Sequence, residues 1–207
     1  MKLRGINKIM GQRLNLEIKN NKEVLANCYF HWSGFSSSSL NLTKQVIEYV
    51  STHEVSADVK GAIEVLEGIG ASFNRFAFDE AVKLGVISGT FEKYSLKRGV
   101  DIDRNNGLIA IDKKGMKETE DWEEGRVSIN IEDKTFYFKC YSENDYNDDE
   151  EIWERIKDLF LPITIKDRIW NISFDEIDYL IEQIDIAEDQ YRGRFIINDL
   201  WCGYSIY

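Results

Sequence analysis

Proline and cysteine are scarce in this chain of 207 residues. Pro162 is the single proline, whereas an average composition would supply about ten. The three cysteines, Cys28, Cys140 and Cys202, are odd in number, widely spaced and without a CxxC pair. This pattern excludes a disulfide framework, and we therefore expect reduced thiols.

The chain also lacks the segments that direct a protein into or across a membrane. No run approaches the roughly 18 to 20 consecutive apolar residues that span a bilayer, and residues 1–11 contain no apolar block of a signal peptide. We expect an intracellular protein that does not contact a membrane.

Several motifs of nucleotide and acyl chemistry are absent too. No GxxxxGK followed by serine or threonine occurs, which excludes a P-loop. Gly68-Ile-Gly70 lacks the third glycine of a dinucleotide-binding fingerprint. The serines at 33 and 36–39 do not fit the GxSxG pattern of a nucleophile elbow.

Acidic residues are in excess in the second half of the chain. Residues 1–99 carry 13 Lys and Arg against 10 Asp and Glu, whereas residues 100–207 carry 13 against 27. The net charges of the two halves are therefore +3 and −14. Residues 118–151 alone contain 13 acids and 3 bases. The tightest acidic cluster consists of Glu143, Asp145, Asp148, Asp149, Glu150 and Glu151.

Such a surface repels nucleic acid and attracts basic partners. We therefore expect no direct DNA binding and predict that the acidic cluster contacts a protein partner. The alternative is a solvated face that only keeps the protein in solution.

Alternating apolar residues predict two β-hairpins. Residues 14–18 alternate with period two, which is typical of a half-buried strand, and a turn at Asn20-Asn21 follows. The next strand, at 24–32, is apolar on both faces and is expected to lie centrally in its sheet. Residues 127–140 repeat the alternation on either side of a turn at Glu132-Asp133.

Helical periodicity predicts a block of helices between the hairpins, at residues 36–85, beginning with an N-cap in the serines at 36–39. Further helices are predicted at 152–160 and after the capping box Ser173-x-x-Glu176. A short apolar run at 108–111 predicts one more strand. The last helix of the block is predicted from the spacing of Phe73, Phe76, Ala77, Ala81 and Leu84.

This order predicts an α+β fold with a mostly antiparallel sheet built from two hairpins, a helical block between them and helices after. No linker or internal repeat is present, so we expect residues 1–207 to form a single domain. The acidic stretch at 142–150 is the best place for a subdivision.

Cys28-Tyr-Phe-His-Trp-Ser-Gly-Phe is the most distinctive segment of the chain. Catalysis by His31 would need a Ser, Asp or Glu partner that the sequence does not identify. A histidine and tryptophan that pack the hairpin on the first helix are the structural alternative. We predict a contact with a small ligand or partner through Tyr29, His31, Trp32 and Ser36.

Three patterns suggest a metal, and each has an objection. Cys28 and His31 are three apart on a strand and point to opposite faces, so both could bind zinc only at a bulge. Asp101 to Asp112 is close to a calcium loop, but Gly107 stands one position later than the EF-hand requires. Asp112 with Glu132-x-Lys134 fits a metal-dependent nuclease, but that pair falls at a predicted turn. We predict no metal, no cofactor and no catalytic residue.

A resemblance to a poorly characterised family of phage and mobile-element proteins from low-GC Gram-positive bacteria is carried by four motifs. They are Met10-Gly-Gln, Asn27-Cys-Tyr-Phe-His-Trp-Ser-Gly-Phe-Ser-Ser-Ser-Ser-Leu, Asp103-Arg-Asn-Asn-Gly-Leu-Ile and Trp122-Glu-Glu-Gly-Arg-Val. The chain's 25 isoleucines and 14 asparagines against 8 alanines indicate an AT-rich coding genome, which agrees with this source.

The resemblance implies a genomic context in which small accessory genes encode inhibitors of host defence, including anti-CRISPR proteins. Together with the acidic surface, it leads us to expect a protein in the bacterial cytoplasm that binds a basic nucleic-acid groove of a host defence protein. Two alternatives stay open. One is a nucleotide- or nucleic-acid-directed enzyme with His31 in its site, and the other is a protein that sequesters a nucleotide signal.

Overall fold

The computed structural model describes residues 13–21, 23–34, 36–100, 102–103, 105–111, 115–116, 125–140 and 172–182. The strands are β1 (Leu14–Asn20), β2 (Glu23–Phe30), β3 (Ser72–Phe73), β4 (Leu108–Ala110), β5 (Gly125–Asn130), β6 (Thr135–Cys140) and β7 (Ile172–Ser173). The helices are α1 (Ser36–Thr52), α2 (Val59–Gly68), α3 (Arg75–Lys83), α4 (Phe91–Tyr94), the 3₁₀ turn Phe174–Glu176 and its helical continuation at 177–182.

The seven strands form one sheet in the order β3-β4-β2-β1-β5-β6-β7. β1 pairs antiparallel with β2, and β5 pairs antiparallel with β6. Three more strands extend the sheet beyond these four, and the joins β1–β5 and β3–β4 are parallel. The fold is therefore mixed α+β with a mostly antiparallel sheet, as expected, and that sheet has more strands than two hairpins supply.

The expectation that β1 is half-buried is wrong. Its apolar residues are buried, but Asn15 and Glu17 between them are also buried, at 0% and 4% exposure. β1 is a central strand between β2 and β5, and the large side chains of Tyr29 and Arg126 flank Asn15 in the register. β2 lies between β1 and β4, which confirms its predicted central position.

One face of the sheet forms the core with the helices. α1 packs on β5 and β6, α2 on β2, and α3 on β3 and β4. Burial of these apolar side chains is the main stabilisation of the fold. The sheet residues of this face include Leu14, Leu16, Ile18, Cys28, Phe30, Phe73, Ile109, Val127, Ile129, Phe136, Phe138 and Ile172.

Side-chain caps begin α2 and α3. The Asp58 carboxylate accepts from the Gly61 N–H at 2.9 Å, and the Asn74 side-chain oxygen accepts from the Ala77 N–H at 2.8 Å. The prediction that one of the serines at 36–39 is the N-cap of α1 is wrong. The helix begins at Ser36, so all four serines lie inside it. The predicted capping box between Ser173 and Glu176 is confirmed.

The apolar face predicted for the last helix of the block is wrong in part. Phe73 belongs to β3, where it pairs with Ile109, and Phe76 is 78% exposed. Leu84 is exposed as well. Because Asn74 caps α3, the helix starts after Phe73. It buries Ala77 and Ala81, as predicted, together with Phe78.

Two predictions on chain organisation concern residues that the structure does not describe. The helix at 152–160 and the candidate boundary at 142–150 lie outside the described residues. Within the described part of the chain, no helix is both long and apolar enough to cross a bilayer.

Candidate functional site

The sheet face opposite the core carries polar side chains, which we call the polar face. Successive residues of a strand point to opposite faces, so the registers determine which polar residues are neighbours. Three adjacent rows cross the strands: Tyr29, Asn15 and Arg126; Asn27, Glu17, Ser128 and Tyr137; and Lys19, Asn130 and Thr135.

Glu17 is the buried carboxylate at the middle of the polar face. Its side chain is 6% exposed, and that of Arg126 on β5 is 31% exposed. Nη1 of Arg126 lies 3.9 Å from Oε1 of Glu17, and the Ser128 hydroxyl donates to Oε2. A carboxylate removed from water needs such compensation, so this ion pair is what allows Glu17 to be buried.

Asn15 is an exception to the rule that buried polar groups are paired. It is fully buried, and neither its Oδ1 nor its Nδ2 has a hydrogen-bond partner among the residues that the structure describes. An unpaired buried polar group costs about 1–3 kcal/mol. The amide is adjacent to Arg126 and Tyr29 in the register, so the polar face holds an unfilled donor and an unfilled acceptor.

A cleft of about 380 Å³ opens on the polar face, and we call it the polar cleft. Its lining residues come from β1, β5, β6 and the turn after β1, so rigid strands set its shape. The lining is formed by Glu17, Lys19, Asn21, Arg126, Ser128, Asn130, Thr135, Phe136 and Tyr137.

The end of the polar cleft is closed by two neighbouring turns. Nδ2 of Asn21 donates to Oε2 of Glu132 at 2.8 Å, which ties the β1–β2 turn to the β5–β6 turn. Asn130 Oδ1 accepts from the backbone N–H groups of Glu132 and Asp133, both at 3.2 Å. These contacts give Glu132 a structural role in the turn.

The structure brings three of the four predicted ligand contacts together. The Tyr29 hydroxyl lies 3.0 Å from Nδ1 of His31, and the His31 and Trp32 rings are perpendicular to each other with centroids 5.0 Å apart. Trp32 is 37% exposed. Ser36 begins α1, but its side chain lies outside the described residues. The partner of His31 shown here is therefore a tyrosine, which the sequence did not identify.

The residues suggested for metal binding have other roles where they are described. The Asp103 carboxylate accepts from the backbone N–H groups of Asn105 and Asn106, so it stabilises a local turn. Cys28 is fully buried on the core face, and burial raises the pKa of its thiol, which makes the thiol unreactive. No group of three His, Cys, Asp or Glu side chains that could hold a metal occurs in the described ranges. Asp101 and Asp112 lie outside those ranges.

The predicted partner-binding residues lie outside the described residues. They are Glu143, Asp145, Asp148, Asp149, Glu150 and Glu151. Sequence reasoning missed the polar face altogether, because Asn15, Glu17 and Ser128 alternate with apolar residues and this pattern also fits a solvent-facing side of a strand.

No protein-family model, curated protein or solved structure matches this chain.

Proposed function

We propose that this chain is a counter-defence protein of a phage or mobile element. It acts in the cytoplasm of a bacterial host, where it binds the basic nucleic-acid groove of a defence protein through its acidic 118–151 region and blocks the groove. It acts by binding and not by catalysis.

The observation that supports this proposal most is the register of β5 and β6. Gly125 pairs with Cys140, so the chain enters β5 and leaves β6 at adjacent points on one end of the strand pair. Five acids precede Gly125 within residues 118–124, and six follow Cys140 within residues 143–151. We call these the acid-rich segments, and they are joined to the sheet side by side.

The strand pair is a rigid base for these segments. Val127, Ile129, Phe136 and Phe138 are at most 1% exposed, so β5 and β6 are fixed in the core. A fixed attachment lowers the entropy lost when the two segments engage one partner. The segments attached there contribute eleven acids to a chain whose second half has a net charge of −14.

The proposed target is a basic groove because its charge is opposite to that of the acid-rich segments. Grooves that hold nucleic acid are lined by Lys and Arg, and most of their affinity comes from neutralising phosphates. Closely spaced carboxylates present the same sign of charge and compete for the same cations. The phosphate-repelling charge of the acid-rich segments argues against direct contact with DNA.

A cell assay with a charge-matched control tests the proposal. Bacterial strains that each carry one defence system, RNA-guided nucleases included, are challenged with a targeted plasmid while they express the chain. The test variant converts the six acids at 143–151 to Asn or Gln. The control variant makes the same number of changes at exposed acids in or next to the described helices, namely Glu48, Glu54, Asp79, Glu92, Asp175 and Glu182.

We expect the wild-type chain and the control variant to restore plasmid transformation in at least one strain, and the test variant to lose this protection. Equal protection by the test and control variants would show that the acid-rich segments are not the binding surface. No protection in any strain would remove the counter-defence function itself.

A further inference from the structure

The described residues that line the polar cleft have a net formal charge of +1. The charged lining groups are Lys19, Arg126 and Glu17. Arg126 and Glu17 form an ion pair and offset each other, whereas Lys19 has no ion-pair partner among the residues that the structure describes. The ammonium of Lys19 is therefore the group available to bind an anionic part of a ligand.

Glu17 offers the complementary function of accepting hydrogen bonds from hydroxyl groups. An ionised carboxylate has about four lone-pair sites, and the Ser128 hydroxyl occupies one of them. Buried carboxylates recognise the hydroxyls of a ribose in this manner. Arg126 lies 3.9 Å from Oε1 of Glu17 and the Ser128 hydroxyl binds Oε2, so the carboxylate has further lone pairs for such hydrogen bonds inside the cleft.

The spacing of these two groups selects a ligand that has an anion at one end and hydroxyls at the other. Lys19 and Glu17 are two residues apart on one face of β1, which corresponds to about 7 Å along the strand. The cleft volume of about 380 Å³ is at the lower end of the range of roughly 300–1,000 Å³ for small-molecule sites. A molecule of one phosphate and one sugar ring matches both measures.

From this arrangement we infer that the polar cleft binds a phosphorylated sugar, with the phosphate on Lys19 and ring hydroxyls on Glu17. The ribose phosphate of a nucleotide and a free sugar phosphate share this chemistry. The inference does not depend on the counter-defence function or on the acid-rich segments.

Calorimetric titration of the full chain with four compounds tests this inference. The compounds are ribose 5-phosphate, ribose, inorganic phosphate and adenosine monophosphate. The test variant is Lys19→Gln, and the matched control is Lys97→Gln, which removes the same charge from an exposed loop residue. A third variant, Glu17→Gln, tests hydroxyl recognition, and its thermal melt verifies that it folds.

We expect saturable binding of ribose 5-phosphate and weaker binding of ribose and of inorganic phosphate. Loss of a charge-assisted contact should weaken ribose 5-phosphate binding about tenfold or more in Lys19→Gln and leave it unchanged in Lys97→Gln. Glu17→Gln should weaken ribose 5-phosphate and spare inorganic phosphate. Tighter binding of adenosine monophosphate than of ribose 5-phosphate identifies a nucleotide as the source, and equal binding identifies a sugar phosphate.

Three results would overturn the inference. The first is the absence of saturable binding of either phosphorylated compound up to about 1 mM. The second is equal binding of inorganic phosphate and ribose 5-phosphate, because the sugar would then contribute nothing. The third is an unchanged affinity for ribose 5-phosphate in Lys19→Gln. This variant tests the inference even if Glu17→Gln does not fold.

Discussion

Removal of Arg126 is expected to destabilise the fold more than neutralisation of its partner Glu17. At the observed separation of 3.9 Å, two unit charges attract each other by about 4 kcal/mol at an effective dielectric constant near 20. Arg126→Met keeps the length of the side chain but leaves a buried carboxylate without this compensation. Loss of one partner from a fully buried pair costs about 3–5 kcal/mol. Because the arginine is 31% exposed, we expect a smaller cost of about 2–3 kcal/mol.

Glu17→Gln should be milder for two structural reasons. The amide oxygen still accepts from the Ser128 hydroxyl, and the partly exposed Arg126 still reaches water. We expect a loss of about 1 kcal/mol. In the Glu17→Gln background no buried charge remains to be compensated, so Arg126→Met should then cost about 1 kcal/mol or less.

The double-mutant cycle is measured by urea denaturation followed by circular dichroism, with equal m-values as the condition for comparison. The expected coupling energy between the two sites is about 2 kcal/mol. Additive effects, or a larger loss for Glu17→Gln than for Arg126→Met, would refute the conclusion that Arg126 is what makes the buried carboxylate tolerable.

Three further predictions concern the scaffold. Hydrogen bonds from a backbone N–H of α2 and from a serine hydroxyl lower the pKa of Asp58, so its stabilising effect is present above the usual pKa of aspartate and is lost as the pH falls through the lowered value. Asp58→Ala should therefore cost about 1 kcal/mol at neutral pH, and denaturation curves should show this cost vanish in strong acid. Burial raises the pKa of Glu67, so the stability of the fold declines as the pH rises from the usual pKa of glutamate through the raised pKa. Glu67→Gln should therefore raise the melting temperature at neutral pH but not below the usual pKa of glutamate. A Cβ at Gly107 would lie 2.7 Å from Cζ of Phe30 and closer still to Sγ of Cys28, so Gly107→Ala should lower stability by about 1–3 kcal/mol in the same denaturation assay.

Local patterns in the sequence were sufficient to predict most of the described elements. The apolar alternation at 14–18 and 127–131 identified β1 and β5, and helical spacing identified α2. The Ser173 capping box was read correctly because both of its partners are close in sequence. These features depend on neighbours within a few residues.

The polar face could not be predicted because it depends on pairing between distant segments. Glu17 and Ser128 are 111 residues apart in the chain and meet only through the parallel join of β1 to β5. The same join places Arg126 beside Asn15, which is buried although its alternating pattern indicated a solvent-facing side chain. The order of the strands in the sheet determines which of these distant polar residues become neighbours.

The rate of association with the defence protein identified in the cell assay tests the proposed function most directly. Long-range attraction sets the encounter rate and is screened within about 8 Å at physiological salt. We predict that neutralising the six acids at 143–151 slows association strongly at low salt and little at high salt, while the matched helix variant behaves as the wild type at both. An association rate of the 143–151 variant equal to that of the wild type at low salt would contradict the proposal and leave the acid-rich segments without a role in binding.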